Sequence, residues 1–386
     1  MPVDAGLASQ SDQLFTWAIV VYSVALVSYC AEYAFGRRGK VAATSATSAP
    51  GTRSGASAVG AGRSGAGTGA VGAGAAGVAG AGEVAAGGAR AAVSAAAGDS
   101  TEVGGSAGSA GPAEPGEAGP PAGGGRSAKA ERFGRLAVAL TAVGLGLQLG
   151  SLVTRGLATG RVPWGNMYEF ASVVGATAIV AFLAVLARMP RVRYLGMFVM
   201  LPVVALLFLA GTVLYANAAP LVPALRSYWI VIHVTTVAMG TGIFLVSFVA
   251  TVLYLVRRRW EVAVAAGRTP SRFPVTLGSR LPGAEVLDRM AYRTVAFGFP
   301  VYTFGIIAGA IWAEAAWGRY WGWDPKETWA FITWVVYAAY LHARATAGWR
   351  GTAAARVNVV AFGTMIFNFF VVNMVISGLH SYAGLT

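Results

Sequence analysis

The chain has 386 residues, 56% of them hydrophobic and only 12% charged, and its mean hydropathy is +0.60. That balance excludes a soluble enzyme and describes a protein that crosses a membrane several times. A net charge of +13 could suggest nucleic acid, but the arginines flank apolar runs, as the positive-inside rule requires, and no nucleic-acid partner is expected. Cys30 is the single cysteine, so an internal disulfide, a CxxC motif and a CxxCH motif are all excluded. The first apolar stretch is long enough to span and has no basic leader before it, so it reads as a membrane anchor and not as a cleaved signal.

An apolar run of about 20 residues crosses the bilayer core as a helix. On that criterion the chain reads as all-α and polytopic, with about eight spans: 14–35, 136–153, 169–187, 195–215, 228–256, 294–315, 326–343 and 357–377. Residues 36–135 separate the first two spans. They are Gly, Ala and Ser with scattered charges, as in GAGAAGVAGAGEVAAGG, and cannot build an apolar core. A disordered linker is expected there. The organisation is therefore 1–35, a first transmembrane helix; 36–135, the linker; and 136–386, a seven-helix membrane domain.

Most Lys and Arg residues fall in 36–135, 188–193, 257–293 and 344–356. The alternate loops hold only Arg155, Arg161, Arg226, Arg319 and Lys326. The basic loops belong inside, so both termini, the 155–168 loop and the 317–329 segment are expected outside a bacterial plasma membrane. The 155–168 loop ends in VPWGNMYEF (162–170), where Asn166 and Glu169 have capping-box spacing and the aromatics suit an interfacial belt. A second role for Glu169 near an external site stays open. In the sixth span, Gly305-Ile-Ile-Ala-Gly309 is a small-xxx-small pattern that admits a neighbouring helix, and Pro300 could kink the span.

The most informative stretch is 317–344, WGRYWGWDPKETWAFITWVVYAAYLHAR. Trp317, Tyr320, Trp321, Trp323 and Trp329 crowd its first half. Asp324 is a good N-cap, Pro325 suits the first helical position, and Glu327 completes a capping box. An aromatic platform thus sits at the mouth of a membrane helix, and rings of that size need a flat, apolar partner.

The only histidines are His233, His342 and His380. His233 begins the fifth span and His380 follows the last, so the two share the external level. His342 lies about 25 Å along its helix from Pro325, in the inner half of the membrane. Ionisable residues at membrane depth are functional candidates, against the plainer reading of a neutral imidazole bonded to a neighbouring helix. Two imidazoles beside a field of indoles suit haem better than zinc, because haem iron takes two axial nitrogens and its macrocycle wants apolar faces. Lys326, Arg319, Arg161 and Arg226 could pair with haem propionates. The capping geometry gives Asp324 and Glu327 a structural role; proton donation by either is the alternative.

On these residues the chain resembles the tryptophan-rich "WWD" family of haem-handling membrane proteins, in its CcsA/ResC form from system II cytochrome c maturation. The resemblance covers about 136–386, and NMYE in the 155–168 loop also matches. It implies that His233 and His380 are the external haem ligands flanking the WWD segment 317–329, with Trp317, Trp321, Trp323, Trp329 and Asp324 at the same site. It implies further that His342 is the membrane histidine, its second axial ligand coming from a ResB/Ccs-type partner. Haem would be presented to the CxxCH of apocytochrome c, so the protein would form part of a haem-lyase complex. A haem transporter without synthetase activity is the main competing reading. A b-type cytochrome is disfavoured, since only His342 is deep.

Overall fold

The computed structural model describes residues 3–36, 128–220, 227–346 and 349–380. Among these residues there are eight α-helices and no strand: α1 (Ala5–Phe35), α2 (Ala128–Thr159), α3 (Met167–Arg188), α4 (Gly196–Thr212), α5 (Tyr228–Ala265), α6 (Ala284–Trp317), α7 (Pro325–Ala345) and α8 (Thr352–Met374). Seven helical segments are long and apolar enough to cross a membrane: α1, α2, α3, the 190–212 segment that contains α4, α5, α6 and α8. The expected span 326–343 forms α7. Its 21 residues reach about 32 Å, enough for the bilayer core, but Trp, Tyr and Thr make it less apolar than the others. The protein is thus an all-α, multi-pass membrane protein.

Helix ends differ from the hydropathy reading where charges begin. α2 starts at Ala128, so residues 128–135, expected as linker, are helical; the rest of that expected linker lies outside the described residues, except Gly36, which ends α1. α5 runs on to Ala265 and α6 begins at Ala284. Apolarity marks where a helix meets lipid; its backbone hydrogen bonds continue as long as the polar turns find partners. Here they do. Glu131 pairs with Arg193 at 2.9 Å, Glu261 with Arg257 at 2.7 Å, and Asp288 with Arg344 at 2.7 Å. Helix α6 passes through Pro300 without interruption.

The helices pack as antiparallel neighbours, α1 on α2, α5 on α6 and α7 on α8, with α3 joining α5 and α4. Lipid offers little hydrophobic drive between spans, so close approach and polar contacts hold them. Tyr22 donates to Gln148 at 2.8 Å and Ser11 to the Ser151 carbonyl at 2.9 Å, tying α1 to α2. Asn358 on α8 donates to Ser247 on α5 at 3.0 Å. On α6, Gly305 lies against Val237 and Thr236 of α5, where an added Cβ would stand 2.8 Å and 2.9 Å from their side chains. The small-residue pattern therefore works as a helix contact.

Charged clasps close both ends of the bundle. At the end carrying Trp164, buried Glu169 receives Arg155 at 3.1 Å and Arg161 at 2.7 Å, while Asn166 caps α3 by accepting the Glu169 amide at 2.9 Å. Glu169 thus has a second role beyond its helix turn: it gathers two arginines. At the opposite end Arg193 bridges Glu32 at 2.8 Å and Glu131 at 2.9 Å. Removing one partner from such buried pairs strands the other charge, at about 3–5 kcal/mol.

Candidate functional site: two histidines over an aromatic cavity

His233 sits in the second turn of α5, and His380 lies past the end of α8. Both line the same two adjoining cavities, which enclose about 890 Å³ and 560 Å³ of partly open space. Val237, Tyr302, Trp312, Lys326 and Asn368 are shared walls; Trp164 and Phe170 belong to the first cavity, Trp317 and Trp321 to the second.

Each imidazole is held by its Nδ1. His233 donates to the Gly305 carbonyl of α6 at 2.7 Å, and the neighbouring Gly309 makes room for the ring: a Cβ there would stand 2.5 Å from Nδ1. His380 donates to the Asp324 carboxylate at 2.7 Å. Carbonyl and carboxylate are acceptors only, so each bond places the proton on Nδ1 and the lone pair on Nε2. This is how metal-ligating histidines are usually oriented, through a second-layer acceptor on the far nitrogen. Trp312, buried at 2% exposure, lies near both rings. It is almost parallel to His233 at 6.2 Å and tilted to His380 at 5.9 Å.

The start of α7 organises this end. Glu327 accepts the Gly322 and Asp324 amides at 2.8 Å and 3.1 Å, and Asp324 accepts the Lys326 amide at 3.2 Å, forming the expected capping box. Asp324 also accepts the Leu379 amide at 2.7 Å, and Gly378 permits the close approach, since a Cβ there would fall 2.7 Å from the carboxylate. The cap therefore fixes the His380 segment to α7. Burial alone would raise the Asp324 pKa, but the bonds from His380 and the Leu379 and Lys326 amides outweigh it and hold the carboxyl below its usual value. Just before it, Trp323 has φ +59, a left-handed conformation uncommon for a bulky residue. The outer Glu327 oxygen, Oε1, is buried with no hydrogen-bond partner among the described residues, and Glu327 lines the second cavity.

The four expected tryptophans divide. Trp317 packs edge-on against His380 at 5.0 Å and against Trp312 at 4.7 Å. Trp321 lines the second cavity and touches Trp323 and Phe331. Trp323 is 67% exposed and Trp329 lies tilted against Phe367 of α8 at 4.1 Å; neither lines either of these two cavities. Among the expected cations, Lys326 lines both cavities. Arg161 is committed to Glu169 and to the Ala219 and Val162 carbonyls, Arg319 lies against Gly322, and Arg226 is outside the described residues.

His342 is not brought to the pair. It is exposed near the far end of α7, with Phe331, Val335 and Ala339 on the same exposed face. No partner for its ring is found among the described residues. Arg344, which could have reached a propionate there, forms a two-bond pair with Asp288 at 2.7 Å and 2.8 Å.

Sequence reasoning passed over Trp312, Tyr302, Asn368 and Asn373 as wall residues. A signal existed for Trp312: it stands five positions before Trp317 at the end of the same helix as the Gly305–Gly309 pattern. Nothing in the local sequence marks Asn368 and Asn373 on α8, which line the first cavity and bond to Lys326.

A multi-pass bundle with two acceptor-oriented imidazoles beside aromatic-walled cavities defines a polytopic membrane protein with a candidate ligand site at one end. The chain belongs to the Cytochrome C assembly protein family, which it matches over residues 164–380, from Trp164 to His380. It is 38% identical to the cytochrome c biogenesis protein CcsA of Guillardia theta over 245 residues, covering 61% of this chain and 81% of that one. It is 35% identical to the CcsA proteins of a Synechococcus strain and a Synechocystis strain, over 291 and 279 residues, covering 62% and 60% of this chain and 83% of each relative.

Proposed function

We propose that the protein acts in cytochrome c maturation by holding haem between His233 and His380 and presenting it to the CxxCH cysteines of apocytochrome c, in the manner of system II. The carrying observation is that both Nδ1 atoms are bound to acceptors, at 2.7 Å each. Two Nε2 lone pairs beside one cavity are what a six-coordinate haem iron requires. Trp312, Trp317 and Trp321 supply apolar faces. Trp323 and Trp329 would contribute by shaping the segment around them.

The residues of this chain bind, orient and exclude water; the reacting groups belong to haem and to the incoming thiols. Each thiol adds across a vinyl C=C. Sulfur bonds to the carbon beside the ring, and the proton ends on the terminal carbon. Asp324 has both oxygens engaged by His380, Leu379 and Lys326, so it serves as a positioning residue. Glu327, with Oε1 unbonded and the second cavity beside it, is the better placed of the two to deliver a proton.

His342, exposed on α7, would hold haem with a second ligand from a ResB-type partner before the haem moves outward. The positive-inside rule puts the His233–His380 end, both termini and the WWD segment outside the plasma membrane. Residues 136–386 form the haem-handling domain in this reading. The test uses protein purified with its partner. A low-spin bis-imidazole spectrum that disappears in the His233→Ala, His380→Ala double variant supports the site. With haem and a CxxCH peptide, thioether product supports synthetase function; a bound spectrum without product favours haem transport alone.

A further inference from the structure

Five buried or half-buried arginines meet carboxylates, while Arg280 lies over the Tyr33 ring and Arg319 against Gly322. Arg155 and Arg161 share Glu169, Arg193 meets Glu32 and Glu131, Arg257 meets Glu261, and Arg344 meets Asp288. Lys326 breaks the pattern. It sits in the first turn of α7, and among the described residues its Nζ bonds to the Asn373 side-chain oxygen and, at 3.5 Å, to the Asn368 carbonyl. Both are neutral. The nearby carboxylates are bonded elsewhere, Asp324 by His380 and the Leu379 amide and Glu327 by the Gly322 and Asp324 amides, so Asp324 acts on the Lys326 ammonium only through space.

An ammonium in a largely apolar wall is unfavourable without an anion. Lys326 borders both cavities that His233 and His380 border, so the anion can come from what fills them. A second donor points the same way. The indole N–H of Trp164, in the wall of the first cavity, is buried with no acceptor among the described residues. An ammonium and an N–H donor on one cavity select a carboxylate-bearing ligand.

We propose that Lys326 recognises a propionate carboxylate of the haem held between His233 and His380, with Trp164 Nε1–H as an accessory donor, and thereby sets which edge of the macrocycle faces inward. This rests on the ligand-pair reading above and goes beyond it. The two imidazoles fix the iron but leave the ring free to turn about the axis joining them. An off-axis charge removes that freedom. With the propionate edge drawn to Lys326, the vinyl groups are directed toward the remaining walls, where thiols can reach them. Lys326 is thus a positioning residue for regiochemistry.

The experiment titrates the purified full-length protein with its partner, using ferric protohaem and protohaem dimethyl ester, which lacks the carboxylates. The low-spin spectrum reports binding. The wild-type protein is expected to prefer the acid over the ester by roughly ten- to a hundredfold, the range for a hydrogen bond to a charged group. Lys326→Met should erase most of that preference while leaving the ester's affinity within about twofold, since the ester never met the charge. The unchanged ester affinity also shows that the variant is folded. Lys326→Arg should retain part of the preference. If Lys326→Met weakens acid and ester equally, the lysine merely supports the helix and the proposal is overturned. A wild-type protein that does not distinguish acid from ester overturns it too. Absence of any bis-imidazole spectrum with either porphyrin would instead show that the ligand-pair reading has failed, and this inference with it.

Discussion

The His233–His380 pair and His342 stand in different surroundings. Each member of the pair has its Nδ1 fixed, one by a backbone carbonyl of the neighbouring helix and one by a buried carboxylate. Both border the same two partly open cavities. His342 has no orienting acceptor among the described residues and lines neither of these cavities, and it lies on an exposed helix face with Phe331 and Val335, each 42% exposed. In the proposed reading, the first site is complete within this chain and the second waits for a partner. Preorganised imidazoles bind without first being ordered; an exposed one acquires geometry only when a second surface arrives.

The comparison can be broken most directly at the pair. His233→Ala or His380→Ala should each lower cytochrome c attachment by more than about 100-fold, exceeding the effect of losing an orienting group. Added imidazole should restore part of it by filling the axial position. Normal maturation in both variants would remove the pair from consideration. His342→Ala should reduce the haem that co-purifies with the complex but leave the affinity of the pair for added haem unchanged; unchanged haem content would show that His342 is not a ligand.

Asp324→Ala should lower haem affinity by about 10- to 100-fold, the usual range for a second-layer partner of a ligating histidine. Asp324→Asn, which keeps a capping oxygen and an acceptor for His380, should lose less. Equal losses would mean that charge, and not orientation, is what Asp324 supplies. Gly309→Ala presses a methyl to 2.5 Å from the His233 ring. It should reduce haem affinity and cost about 1–3 kcal/mol of stability, measurable as a lowered midpoint of thermal unfolding. Unimpaired haem binding would mean that the His233 ring is not confined by α6.

The smallest expected effect is pH-dependent. The Asp324 carboxyl is held below its usual value in the folded protein. Its contribution to stability is therefore fully present above the ordinary carboxylate pKa and is lost as pH falls through the depressed folded value. Wild type should melt a few degrees above Asp324→Asn at neutral pH, and the gap should narrow as pH falls below about 4, the ordinary Asp range. A gap that persists at the lowest pH would show that the carboxylate's charge is not what anchors the His380 segment.

Much of the scaffold could be read in advance because membrane helices announce themselves by apolar length. Their ends could not, since α2 and α6 extend into charged turns held by long-range ion pairs and α5 into one held by its own Arg257–Glu261 pair. The capping box at Asp324–Glu327 was legible from local spacing. The second duty of Asp324 was not, because its partner His380 is far along the chain and meets it only after α7 and α8 have packed. The same holds for Lys326, whose neighbours on α8 carry no sequence signal. For the tryptophans, composition located the cluster but not its facing: Trp317 and Trp321 turn toward the cavity, Trp323 and Trp329 away. Trp312 went unnoticed because one aromatic inside an apolar span looks like lipid-facing bulk until the neighbouring helices close around it.

The two imidazoles of the pair are mounted differently. His233 is carried by a continuous helix of 38 residues, whereas His380 lies on a short segment beyond Met374, bonded to the Asp324 cap of α7 and packed edge-on against Trp317 and Trp312. In the proposed haem site, the histidine of an arriving CxxCH should displace His380 in preference to His233, because withdrawing His233 would mean bending a helix.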